Sequence, residues 1–121
     1  MIKLKLPLPP SINNYYQHHC KFKNHATMYI SKAGKEFRKQ VEQIVIEQRA
    51  NQWANIPLRL EVRIFYKTKH RNDLDNRIKP LQDALTHANV WEDDALIDEL
   101  FVTRGGIDKD NPRVEIEITA L

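Results

Sequence analysis

Leu58-Arg59-Leu60-Glu61-Val62-Arg63-Ile64-Phe65-Tyr66 alternates without a break. Successive side chains of an extended chain point to opposite faces. Leu58, Leu60, Val62, Ile64 and Tyr66 therefore line one face, and Arg59, Glu61, Arg63 and Phe65 the other. The pattern predicts a strand buried on one side, in a sheet whose apolar face must be covered.

The flanking sequence supplies further strands and the cover. Residues 2–6 alternate too, with Ile2, Leu4 and Leu6 against Lys3 and Lys5, until Pro7, Pro9 and Pro10 end the run. Residues 113–119 place Val114, Ile116 and Ile118 inward and Arg113, Glu115 and Glu117 outward. Residues 98–104 read as another strand, joined to 113–119 as a hairpin with a long loop that starts at Gly105-Gly106. Ser31 is a suitable N-cap for a helix running to about residue 52, with Phe37, Val41, Ile44 and Gln48 at helical spacing and Val45 beside them. A second apolar stripe follows, Leu74, Ile78, Leu81, Leu85 and Ala88. Proline suits the first position of a helix, so Pro80 predicts a helix over 80–88 after a looser turn at 75–79. Residues 11–30 read as a polar loop with a short strand at 27–30, and Trp53 and Trp91, beside helix ends, read as packing residues. The order β, α, β, α, β, β predicts an α+β fold: a small mixed β-sheet with two main helices packed on one face, in a single domain over residues 1–121.

Charge is unevenly spread. The net charge is only +3. Residues 1–72 hold 14 Lys/Arg against 4 Asp/Glu, and residues 73–121 hold 5 against 12. The basic part suits a polyanion partner, and the acidic part calls for something more than a DNA clamp. No apolar run reaches the ~18 residues of a membrane span, and the alternating basic N-terminus is unlike a signal peptide. A single cysteine, Cys20, excludes an internal disulfide and suits a reducing, cytoplasmic setting.

The chemistry concentrates in His70-Arg71-Asn72-Asp73-Leu74-Asp75-Asn76-Arg77-Ile78-Lys79. In extended backbone Asp73 and Asp75 share a face, with Leu74 directed to the core. Two close carboxylates repel unless a cation lies between them, and a hard divalent ion such as Mg²⁺ takes oxygen ligands of this kind. Either Asp93 or Asp94, at the turn after the second helix, could complete the cluster. Lys79 follows Asp75 by four residues, so a helical turn puts its ammonium beside the acids. There it could stabilise charge developing at phosphorus, an effect worth about 3–4 kcal/mol. An EF-hand loop is a poor rival, because Arg77 and Ile78 occupy its ligand and glycine positions. His18, His19, Cys20 and His25 loosely match a zinc set but lack a second cysteine. With Tyr15, Tyr16, Lys21 and Lys23 the same stretch fits a DNA-contacting loop better. The basic run of Lys67, Lys69, His70 and Arg71 suits the DNA backbone. Arg104 is compatible with a phosphate contact or with a plain hairpin tip.

Taken together, Pro9-Pro10-Ser11-Ile12-Asn13-Asn14-Tyr15-Tyr16, Asp73-Leu74-Asp75-Asn76 with Lys79, Asp83-Ala84-Leu85 and Trp91-Glu92-Asp93-Asp94 resemble the RusA family of Holliday junction resolvases, bacterial and prophage-type endonucleases. The likeness spans nearly the whole chain. It implies a homodimer that nicks four-way DNA junctions symmetrically with Mg²⁺ or Mn²⁺ and no small-molecule cofactor. It also implies Asp73, Asp75 and Asp94 as essential carboxylates, Asp93 as the neighbouring acid, and Lys79 as the essential lysine. The chain departs from the dense arginine run that members can carry before the first aspartate. A non-catalytic nucleic-acid-binding regulator, and a nuclease for other branched or single-stranded DNA, are the competing expectations.

Overall fold

A computed structural model describes residues 1–22, 25–69 and 73–121, with backbone alone for 18–22 and 25–27. The alternating run is strand β4 (Leu58–Tyr66), with its five apolar side chains buried. Antiparallel to it runs β6 (Arg113–Ala120), in the register Leu60↔Ile118, Val62↔Ile116 and Ile64↔Val114. Strand β1 (Ile2–Pro7) pairs antiparallel with the far side of β6, so Leu4 and Leu6 extend the same buried rows. Strand β5 (Ile97–Ile107) pairs parallel with β4. The sheet order is β1-β6-β4-β5, a mixed sheet as expected. Each fully buried Val, Leu or Ile of these rows contributes about 1.5–3 kcal/mol by leaving water.

Two helices cover the apolar face. Helix α2 (Lys32–Glu47) buries Gly34, Phe37, Val41 and Val45, and α3 (Ile78–His87) buries Ile78, Pro80, Leu81, Ala84 and Leu85 in the same core. Ser31 caps α2 as predicted: its hydroxyl accepts from the Gly34 N–H at 2.9 Å and donates to the Asn14 carbonyl at 2.5 Å. The inward stripe of α2 is narrower than the spacing implied, since Ile44 is half-buried and Gln48 exposed. The helix also ends earlier. Arg49 takes a left-handed φ of 56° while the Ala50 N–H reaches back to the Val45 carbonyl, a capping geometry that stops the helix. Helix α3 starts two residues before Pro80. At the third helical position the missing proline N–H has no intrahelical acceptor to lose.

Three expectations are corrected. Strands β5 and β6 do not form a hairpin, because β4 lies between them. Three buried apolar residues favour an inner position for β6, whereas β5 leaves Leu100 and Phe101 about half exposed and takes the edge. Gly105-Gly106 lies within β5. A Cβ at Gly105 would come within 2.6 Å of the Phe65 ring, so glycine lets that ring cross the neighbouring strand at a register shift. Residues 11–30 hold more than a loop with a short strand at 27–30: they include α1 (Ile12–Tyr15) and an antiparallel pair, β2 (Tyr16–Phe22) and β3 (His25–Ile30), the last of which contains the expected strand. Their polar side chains conceal the strand period. Trp91 is fully buried and donates to the Thr86 hydroxyl at 2.7 Å, whereas Trp53 is 53% exposed and does not pack as expected. Among the described residues no helix is long and apolar enough to cross a membrane.

Candidate active site

Beyond β4 the chain passes the exposed Lys67 and Lys69 and enters a 3-10 turn at Leu74–Arg77. Asp73 sits in extended backbone at its start, and its carbonyl accepts from the Asn76 N–H. Asp75 lies inside the turn, so the extended relation assumed between the two acids does not hold. Both are exposed, while Leu74 packs against the core as predicted. Arg77 anchors the turn. It donates to the Pro9 carbonyl and stacks 5.9 Å from the Tyr66 ring centre, and burial lowers its pKa.

Lys79 is in the first turn of α3. Its Nζ lies 3.8 Å from Asp94 Oδ2, so the predicted lysine and one predicted carboxylate do meet. Asp94 begins a short 3-10 turn, Asp94–Leu96. Asp93 caps that turn, with Oδ1 accepting from the Ala95 N–H at 3.0 Å. That bond first, then a hydrogen bond with Asp94, and to a lesser degree the Lys79 charge, hold the Asp93 pKa below the usual carboxylate range. The turn returns to Lys79 because α3 is stopped by Asn89 at φ 65° and followed by the buried Trp91. The Glu92 N–H bonding to the Ala54 carbonyl fixes the exit.

Next to Lys79 lies a group whose pairing the sequence does not show. The Tyr15 hydroxyl donates to Asp83 Oδ2 at 2.5 Å, Arg38 Nη2 donates to the same oxygen at 2.5 Å, and Arg38 Nε donates to the Tyr15 oxygen at 2.7 Å. Burial opposes ionisation of Asp83, but the bonds from Arg38 and Tyr15 outweigh it and lower its pKa. Burial, and then the bond to Asp83, raises the pKa of Tyr15. Tyr15 is thus a buried structural residue and not the DNA-facing aromatic expected. Tyr16 is half-buried; burial first, then the negative charges of Asp83 and Asp94, raises its pKa. Ile12, Asn13, Tyr16, Met28, Lys79 and Asp83 line a pocket of about 510 Å³. Asp83 stands in one of the motifs that carry the family resemblance, one helical turn after Lys79. The pairings with Arg38 and Tyr15 left no clue.

Lys79, Asp93 and Asp94 are therefore gathered together, with Asp83 and Tyr16 beside them. Asp73 and Asp75 stand on the turn that leads into the same helix. Among the described residues no three His, Cys, Asp or Glu side chains group closely enough to hold a metal ion. Lys23, His70 and Arg71 lie outside the described residues. So do the side chains of Lys21, His18, His19, Cys20 and His25, which leaves the zinc alternative undescribed as well. Arg104 is not at a hairpin tip: it lies within β5, 5.7 Å from the Tyr66 ring centre.

Acids stand beside a lysine on a small α+β domain whose first half is basic, an arrangement compatible with chemistry on a phosphodiester. The comparison with known families makes this particular. A RusA family profile, described as Endodeoxyribonuclease RusA, matches residues 7–119, and the chain belongs to that family. It is 36% identical over 116 residues to the crossover junction endodeoxyribonuclease of Enterobacteria phage HK97, covering 96% of this chain and 92% of that protein. The crossover junction endodeoxyribonucleases of Shigella sonnei and Escherichia coli K12 are 32% and 31% identical over 118 residues, each covering 98% of this chain and 93% of theirs.

Proposed function

We propose that the chain is a metal-dependent endodeoxyribonuclease that resolves four-way DNA junctions, acting as a homodimer that places two symmetric nicks. The observation that carries the reading is the 3.8 Å approach of Lys79 to Asp94, with Asp93 next to it in sequence, in a chain whose relatives are crossover junction endodeoxyribonucleases. The donors proposed, Asp73, Asp75 and Asp94 with Asp93 adjacent, are all carboxylates, and no three of them close on one point in this arrangement. Hard oxygen donors of this kind fit Mg²⁺, with Mn²⁺ as a substitute, and Mg²⁺ commonly takes only one or two carboxylates with several waters. When bound, such an ion supplies charge neutralisation and a more acidic water. Lys79 faces the phosphate and stabilises the charge that develops on it. Lys67 and Lys69, with Lys21, Lys23, His70 and Arg71, hold the DNA backbone without reading bases. The products are 5′-phosphate and 3′-hydroxyl ends.

The test is cleavage of a four-way junction and a linear duplex of matching sequence, each with Mg²⁺ and with EDTA. Paired nicks on the junction in Mg²⁺ alone are expected. Equal cutting of the duplex would overturn the junction specificity. Junction binding with no cutting under any metal would make the chain a non-catalytic binder.

A further inference from the structure

Lys79 has two carboxylates within its range. Asp94 Oδ2 is 3.8 Å from the ammonium. Asp83 is four residues further along α3, on the same helix face, and lines the same pocket. The attraction of Asp83 for Lys79 depends on what else neutralises it. Oδ2 of Asp83 already accepts from Arg38 and from Tyr15, and Arg38 closes the triangle by donating to Tyr15. The Arg38 and Asp83 side chains are only 24% and 27% exposed, so their pairing is less screened by water than that of Lys79, which is 55% exposed.

We propose that Arg38 is a positioning residue for Lys79: by occupying Asp83 it leaves the lysine ammonium to Asp94 and to the reacting phosphate. Arg38 never touches the substrate in this scheme. It acts through a competition between two acids for one cation, and it couples α2 to chemistry carried by α3. The inference rests on the catalytic role of Lys79 proposed above.

The competition has a signature that a merely structural role lacks. Arg38→Met releases Asp83 to draw Lys79 away, so single-turnover junction cleavage in Mg²⁺ falls by about tenfold while junction affinity is kept. Adding Asp83→Asn removes the competing charge and restores most of the lost rate, although it restores no contact. A double variant as slow as Arg38→Met, or an Arg38→Met variant as fast as the parent, overturns the proposal. Thermal midpoints verify that each variant is folded. If Arg38→Met is not folded, Arg38→Gln keeps a donor and similar bulk without the charge, and carries the same expectations alone and with Asp83→Asn. Lys79→Ala separates the two levels. If it cleaves like the parent, the role of Lys79 itself is wrong. If it is inactive and Arg38→Met is not slowed, only the positioning role is wrong.

Discussion

Among single residues, Asp75 and Asp83 make opposite use of the same chemical group. Asp75 is exposed in the 3-10 turn, with its charge available to a cation. If Asp75 is a ligand of the proposed ion, Asp75→Asn removes both a charge that repels phosphate and a donor that hydrolysis needs. Cleavage should be lost while junction affinity, read by gel shift, holds or rises; normal cleavage in Mg²⁺ would remove Asp75 from the site. Asp83 is instead committed to Arg38 and Tyr15, which bring its pKa below the ordinary value in spite of burial. Its stabilising effect is complete above the unfolded pKa of about 3.9 and is lost as pH falls through the lower folded value. Stability measured by denaturant should therefore decline on acidification below about pH 4, and Asp83→Asn should flatten that decline. Parallel acid limbs for the parent and Asp83→Asn would show that other carboxylates carry the effect.

Among elements, the junction of α1 with α2 sets the wall of the pocket. Ser31 links the two, accepting from Gly34 and donating to Asn14, while the Ser31 N–H bonds to the Tyr15 carbonyl. Gly34 permits this closeness. A Cβ there would lie 2.7 Å from the Tyr15 carbonyl oxygen and 2.6 Å from Ile30 Cγ2. The first of these contacts is backbone and cannot rotate away. Gly34→Ala should cost about 1–3 kcal/mol in denaturant unfolding, the usual penalty of overpacking. It should also slow cleavage, because Tyr15 shifts and takes its hold on Asp83 with it. Gly34→Ala with unchanged stability would mean that α1 moves aside freely.

For the whole molecule, charge separation is the governing feature. The exposed Lys67 and Lys69 follow the central strand and precede the acidic turn, so the basic and acidic parts meet at one end of β4. If these lysines contact phosphates, each contact releases about one counterion. Lys67→Ala with Lys69→Ala should weaken junction binding for all sequences and lower the slope of log affinity against log salt by about two. An unchanged slope would take this segment off the DNA face.

Strand β4 was legible in full because alternation is local, and each of its nine residues states its own face. The same holds for β1, β6, the Ser31 cap and the buried side of α3. The approach of Asp94 to Lys79 was legible because a short helix followed by a turn returns the chain to the helix start. The order of the strands was not legible. The periods of β5 and β6 are compatible with a hairpin, and only competition for the core put β6 on the inside and β5 at the edge. Nor was the triangle of Tyr15, Arg38 and Asp83, whose members stand 68 and 45 residues apart along the chain. Residue type and spacing report which way a side chain faces within its own element. Which distant side chain it meets there depends on how the helices close over the sheet.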